Sequence, residues 1–145
     1  MDSRQIDKIL RGLLGPHYLG TYARNGMPTC AVPPFSLVCN TDPDTETGEH
    51  WIAVHVDEEG NGEYFDSYGL PPLHDAFEKF LNRHCKTWTW NDRQIQQLPS
   101  KVCGQHCIFY LTHRCLGLSL QEILSFFTED LRDNDRIVEC YVKEL

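Results

Sequence analysis

The sequence predicts a domain of the α+β class, with strands in the middle of the chain and helices towards both ends. The clearest strand is 51–56, which is rich in β-branched and aromatic residues and is bounded by loop residues. An amphipathic helix is indicated near the start by an apolar stripe that begins at Ile6, and a second helix begins near Cys103. Strands joined by hairpins and followed by helices are typical of this class.

Turn residues and periodicity give the remaining elements. Gly and Pro pairs end the first helix and keep 26–34 irregular, and a Gly-rich turn at 57–62 joins two strands that we expect to pair antiparallel. The predicted strands are 18–22, 35–39, 51–56, 63–66, 87–90 and 93–97, and the predicted helices follow Ser3, Pro71-Pro72, the approach to Cys103, Ser119 and either Asp133 or Asn134.

Composition restricts the classes of function. With 145 residues we expect one domain spanning 1–145, large enough to fold without a metal or a disulfide. No apolar run approaches the roughly 20 residues that cross a bilayer, and the net charge of −8 argues against nucleic-acid binding. We expect no secretory signal, so the seven cysteines indicate reduced thiols in an intracellular protein.

Cys103 is the first candidate for chemistry. It stands where a polar, turn-prone approach gives way to an apolar helix, and unpaired N–H groups at a helix start stabilise a thiolate. Gly104 is expected to leave room for a substrate beside the sulfur. Two other interpretations stay open: Cys103 and Cys107 as ordinary core residues of one helix face, or a zinc site made with His106 and Cys115.

A thiol nucleophile needs a base, which is best held by an acidic group. His50, at the start of the strongest strand, is preferred over His55, which lies in mid-strand. Asp66 follows the partner strand, and it shares a face with His50 only if the turn has an odd number of residues. An oxyanion would need the Cys103 N–H and a side-chain amide, for which Gln96 and Gln97 are both candidates.

The ordered set of these residues resembles the adenovirus-type maturation protease (adenain) and its relatives in Maverick/Polinton elements. The resemblance rests on His50-Trp51, the run 64–69, Gln96 with Ser100, and Cys103-Gly104, and it extends over roughly 6–116. It implies a papain-like cysteine protease fold, with a central mixed β-sheet flanked by helices and the nucleophile at the N-terminus of the central helix.

The same resemblance implies a role for each residue. Cys103 is the nucleophile, His50 the base and acid, Asp66 its partner, and Gln96 the oxyanion donor. Gln97 is the alternative donor, at the spacing of SUMO proteases. The implied activity is cleavage of viral capsid or core precursors during virion maturation, in the host nucleus and the virion.

The family's cofactors and two competing functions complete the expectations. In adenovirus enzymes a peptide activates the protease through a disulfide, and Cys85 has the spacing of that cysteine. DNA is a second activator there, which the acidic charge of this chain disfavours. No cofactor or metal is required by the sequence. The alternatives are an isopeptidase for SUMO or ubiquitin-like proteins and a non-catalytic binding module of the same fold.

Overall fold

The computed structural model describes residues 1–48 and 50–145. Within these ranges one sheet contains five strands, ordered β1-β2-β3-β4-β5 as in the chain, and five helices accompany it. The strands are β1 (Tyr18–Tyr22), β2 (Phe35–Asn40), β3 (Trp51–Val56), β4 (Asn61–Phe65) and β5 (Thr87–Trp90). The helices are α1 (Ser3–Leu14), α2 (Asp75–His84), α3 (Cys103–Cys115), α4 (Leu120–Leu124) and α5 (Leu131–Lys143).

The sheet is mixed. β2, β3 and β4 pair antiparallel, whereas β1 pairs parallel with β2 and β5 pairs parallel with β4. Successive side chains of a strand point to opposite faces, so the central strands contribute to two apolar clusters. One cluster packs against α1, α3 and α5, and the other against α2. The α+β class and the mixed central sheet are therefore confirmed.

Helix α3 is the central helix of the first cluster. Its residues from Ile108 to Thr112 are all buried, as are Cys103 and Cys107, because α1, α5 and the sheet surround it. Cys103 is the first residue of this helix, where the sequence predicted it. No helix in the described ranges combines the length and the apolar character that crossing a membrane requires.

The β3–β4 hairpin decides the register that the sequence left open. Val56 pairs with Gly62, so five residues, 57–61, lie between the two members of the last pair. With this odd number, His50 and Asp66 fall on the same side of the hairpin, and His55 falls on the other side, opposite Glu63. The hairpin thus brings the preferred histidine and the acid towards each other.

The predicted strand at 93–97 is wrong. Residues 91–102 form an irregular connection between β5 and α3, and the N–H groups of Ile95 and Gln96 both donate to the carbonyl oxygen of Ser67. Two donors on one acceptor tie this segment to the end of β4, which replaces the ladder of a sixth strand. Ile95 and Gln96 are buried because of this anchoring.

Three helix starts also differ from the sequence prediction. Asp2, rather than Ser3, caps α1, and it forms a capping box with Gln5. Helix α2 begins at Asp75, after the Pro-rich turn, and α5 begins at Leu131 with the side chain of Asp130 accepting from its first turn. The predicted Ser119 cap of α4 is confirmed.

Candidate active site

The thiol of Cys103 lies at the N-terminus of α3 and is 7% exposed. Its sulfur accepts hydrogen bonds from the N–H of Trp51, at 3.5 Å, and from the N–H of Gly104, and it contacts the imidazole of His50. Burial raises the pKa of this thiol, but the hydrogen bond and charge of His50 together with the two N–H donors outweigh burial and lower it. The surroundings therefore favour a thiolate.

The imidazole of His50 lies between this thiol and a carboxylate. Its Nε2 is 2.7 Å from Oδ1 of Asp66, which leaves Nδ1 as the ring nitrogen for the sulfur of Cys103. Burial lowers the pKa of His50, but the hydrogen bonds and charges of Asp66 and Cys103 raise it to about 9. The structure thus brings together the three residues that the sequence selected, and the two pKa shifts favour a thiolate–imidazolium pair beside a carboxylate.

Two residues that sequence reasoning missed hold Asp66 in place. The N–H of Tyr68 donates to the same Oδ1 that contacts His50, at 2.8 Å, and the ring of Tyr68 stacks on the imidazole. The side-chain amide of Asn91, which is 1% exposed, bonds both the N–H and the C=O of Asp66. The contact of Tyr68 with Asp66 could have been predicted, because the two residues are only two positions apart in the sequence. No feature of the sequence indicated the contact of Asn91 with Asp66.

The two glutamines have different surroundings. Gln96 is 0% exposed; its Nε2 donates to the carbonyl oxygen and to Oγ of Ser100, at 3.0 and 3.1 Å, and its Oε1 accepts from Ser67. Gln97 is half-buried, and its side chain makes no hydrogen bond with the described residues. The side-chain N–H groups of Gln96 therefore close the 96–100 loop, and its Oε1 joins this loop to the 66–69 turn.

Gly104 does not have the expected role. A Cβ at this position would lie 3.2 Å from Ile6, 3.4 Å from Met1 and 3.5 Å from Trp51. The glycine therefore permits close packing of α3 against α1 and the start of β3, rather than opening a space for substrate. Glu49, part of the approach on which the resemblance rests, lies outside the described residues.

His55 is separate from this site. Its Nδ1 shares a hydrogen bond of 2.9 Å with Oγ of Ser36, on the strand that pairs with β3. Burial and the nearby charge of Arg114 lower the pKa of His55 to about 4, so the ring is neutral at neutral pH. The preference for His50 over His55 as the partner of Cys103 agrees with this geometry.

The residues of the zinc alternative point in different directions. His106 places Nε2 3.0 Å from Asp135, Cys107 is fully buried, and Cys115 is exposed at the end of α3. Burial raises the pKa of Cys107 well above its usual range. Among the residues that the structure describes, no group of three or more His, Cys, Asp or Glu is arranged to hold a metal ion.

Cys85 lies at the end of α2 and not in a strand, against Gly62 of β4. It is half-buried and unpaired, as free as the other six cysteines of the chain. Burial raises the pKa of its thiol to about 11, so it is protonated at neutral pH. A protonated thiol reacts slowly in disulfide exchange.

Comparison of sequences identifies relatives of the chain. No family model matches it. The SUMO-1 cysteine protease S273R of African swine fever virus, isolate Pretoriuskop, is 31% identical over 102 residues, which cover 63% of this chain and 37% of the protease. The cysteine protease S273R of the Badajoz strain matches equally well. The chain is a distant homologue of these cysteine proteases. It matches little more than a third of their length.

Comparison of structures supports the same fold. A crystal structure of the S273R protease of African swine fever virus superimposes with a TM-score of 0.62 at 19% identity, covering 94% of this chain and 65% of that one. The SUMO protease Ulp1 superimposes with a TM-score of 0.50 at 10% identity, covering 99% and 78%. The papain-like fold predicted from the resemblance is confirmed. The link to adenain and to Maverick/Polinton elements stays a prediction.

Proposed function

We propose that the chain is a cysteine endopeptidase that uses Cys103, His50 and Asp66. The observation that carries this proposal is the thiol of Cys103 at a helix start, in contact with an imidazole whose other nitrogen is 2.7 Å from Asp66. Homology to the S273R cysteine proteases supports it independently. This combination of sulfur, imidazole and carboxylate suits attack on a carbonyl carbon.

The proposed reaction has two halves. The thiolate of Cys103 attacks the peptide carbonyl, and Nδ1 of His50 gives its proton to the leaving amine as the C–N bond breaks. Nδ1 then takes a proton from a water molecule as its oxygen attacks the acyl-enzyme. The C–S bond breaks, the acid is released, and the Cys103 thiolate leaves beside the protonated His50, which restores the ion pair. Asp66 keeps the imidazole oriented and stabilises its charged form.

The oxyanion needs donors that a substrate can reach. The N–H of Cys103 lies at the helix start and has no partner within the helix. Gln96 is fully buried and its amide is already bonded to Ser100. We therefore propose Gln97 as the side-chain donor, with Gln96 as the anchor of the loop that carries it.

Viral structural precursors are the proposed substrates, and the virion and the host nucleus the proposed sites of action. The support is the resemblance of the sequence to maturation proteases and the viral origin of the S273R relatives. A groove of about 390 Å³ is lined by Gly48, Trp51 and Tyr22 among others, and of these Trp51 donates its N–H to the sulfur of Cys103. The acidic charge of the chain favours activity without DNA.

We also propose that no disulfide-linked peptide is needed for activity. Cys85 has the spacing of the activating cysteine, but burial raises its pKa to about 11 and disfavours exchange. Replacement Cys85→Ser is expected to leave cleavage unchanged with or without added peptide thiols. Dependence of wild-type activity on a thiol peptide, lost in Cys85→Ser, would contradict this.

The second candidate is an isopeptidase for SUMO or ubiquitin-like proteins. It is favoured by the fold that the chain shares with the SUMO protease Ulp1. Both candidates use the same triad, so the substrate must distinguish them. Cleavage of a folded ubiquitin-like fusion, in preference to a Gly-Gly peptide, would select the isopeptidase.

The deciding experiment compares the wild type with Cys103→Ala and Cys107→Ala on Gly-Gly peptides and on ubiquitin-like fusions. We expect Cys103→Ala to lose all turnover with its circular dichroism unchanged. Cys107→Ala, the matched control on the same helix face, keeps the active thiol. If Cys103 reacts with iodoacetamide no faster than the other thiols, the chain is the non-catalytic binding module instead.

A further inference from the structure

Asn91 occupies the position where β5 ends beside the end of β4. The β4–β5 ladder is parallel, and its last pair is Tyr64 with Trp90. One step further, the Oδ1 of Asn91 accepts from the N–H of Asp66 at 2.8 Å, and its Nδ2 donates to the C=O of Asp66 at 2.6 Å. The side-chain amide thus takes the place of a main-chain peptide group.

This arrangement acts on the acid of the triad. Asp66 stands just past the end of β4, where its N–H donates to the side chain of Asn91 and its C=O accepts from that side chain and from the N–H of Gly69. Its carboxylate is 2.7 Å from His50, so a shift of the backbone by a few tenths of an ångström changes that contact directly. Asn91 is 1% exposed, so water cannot replace its hydrogen bonds without opening the loop.

We propose that Asn91 is a positioning residue for Asp66, whose amide extends the β4–β5 ladder by one step and fixes where the acid leaves the sheet. The inference rests on the proposed function, because it assigns Asn91 a role in the same triad. Asn91 touches neither the thiol nor the imidazole, and it acts only through Asp66.

The amide is required because it presents one donor and one acceptor. In Asn91→Asp, a carboxylate oxygen still accepts from the N–H of Asp66, but the other oxygen faces the C=O of Asp66 without a proton. The two oxygens repel each other at neutral pH. Protonation of the new carboxyl group restores a donor, so the defect of this variant is expected to be reversed by acid.

The test measures the rate at which iodoacetamide alkylates Cys103 as a function of pH, with thermal unfolding measured in parallel. In Asn91→Ala we expect the apparent pKa of the thiol to rise by about one unit. Alkylation should then be roughly tenfold slower than in the wild type at neutral pH, and this difference should disappear at alkaline pH. In Asn91→Asp we expect a similar loss near neutral pH, with the rate relative to wild type recovering towards about pH 5.

The control is Asn82→Asp, which adds the same charge to α2 on the other face of the sheet and keeps an acceptor for Trp88. Its alkylation profile should match the wild type. A lowered unfolding temperature in Asn91→Ala with a wild-type alkylation profile would overturn the proposal, and so would an Asn91→Asp defect that acid does not reverse. Alkylation needs no substrate, so these outcomes stand even if no peptide is cleaved and the protease proposal fails.

Discussion

The ring of Tyr68 lies face to face with the imidazole of His50, with centroids 4.5 Å apart and planes 18° from parallel. An aromatic face attracts a cation, so this stacking favours the protonated imidazole over the neutral one. The N–H of Tyr68 donates to Oδ1 of Asp66, the oxygen that contacts His50. The ring and the backbone of Tyr68 thus both favour the charged form of His50.

Two substitutions of Tyr68 distinguish the effect of the ring from the effect of the hydroxyl group. In Tyr68→Leu we expect the alkaline limb of the activity profile to move down by about half a unit to one unit, because the cation loses its aromatic neighbour. Tyr68→Phe keeps the ring and should keep the wild-type limb, since the hydroxyl makes only long contacts, of 3.4 Å to Gln96 and 3.5 Å to Ser100. The pH dependence of kcat/KM checks both. An unchanged limb in Tyr68→Leu would show that the stacking is only packing.

The wild-type activity is expected to depend on pH in the manner of an ion pair. The thiolate forms above the lowered pKa of Cys103, and the imidazolium is lost as the pH rises through about 9, the pKa of His50. Activity should therefore be flat around neutral pH and fall on either side, with limbs that belong to the coupled pair.

Asp66→Asn tests whether the negative charge of Asp66 raises the pKa of His50. The variant keeps a hydrogen-bonding group of similar size but removes the negative charge, so the pKa of His50 should fall and the alkaline limb should move to lower pH. The measurement is kcat/KM for one peptide across the pH range. A limb that stays near pH 9 in Asp66→Asn would mean that His50 is not the group titrating there.

The sequence predicted those parts of the site that depend on local periodicity. Cys103 at the start of α3 and the β3–β4 hairpin follow from apolar spacing and turn residues, and they bring His50 and Asp66 to one side. The position of Asn91 was not predictable, because its partner is 25 residues away in the sequence. The predicted strand at 93–97 is wrong for the same reason, because the N–H groups of Ile95 and Gln96 donate to Ser67, which is distant in the sequence, and not to a neighbouring strand.

The choice between the two glutamines also depends on tertiary contacts. The resemblance to the adenain family favoured Gln96, but only the structure places its amide against Ser67 and Ser100. Removing a buried amide leaves its partners unsatisfied, whereas removing a half-exposed one does not. The two variants therefore have different expected defects.

Gln97→Ala is expected to lower kcat about 100-fold or more, the usual effect of losing an oxyanion donor, with stability unchanged. Gln96→Ala should lower the free energy of unfolding by about 1 to 3 kcal/mol, because it removes the hydrogen bonds of Gln96 to Ser67 and Ser100. Kinetics and urea unfolding of both variants test this assignment. A stable Gln96→Ala with the larger loss of kcat would reverse the roles.

The turn that carries Tyr68 depends on Gly69. Its φ is +75°, and a Cβ there would lie 2.5 Å from the carbonyl carbon of Arg93 and 2.7 Å from the nitrogen of Gln94. Gly69→Ala therefore adds both backbone strain and a clash with main-chain atoms that cannot move aside. We expect a loss of about 2 to 4 kcal/mol in the free energy of unfolding.

Gly12→Ala is the matched control, because Gly12 lies on the exposed side of α1 and a Cβ there meets nothing within 4 Å. This substitution should stabilise the helix by about 0.5 to 1 kcal/mol, the difference in helix propensity between Gly and Ala. Urea unfolding measures both changes. In Gly69→Ala the alkylation of Cys103 should also slow, because the displaced turn carries Asp66 away from His50. Unchanged stability and alkylation in Gly69→Ala would mean that the 66–69 turn can move away from 93–94 without disturbing the triad.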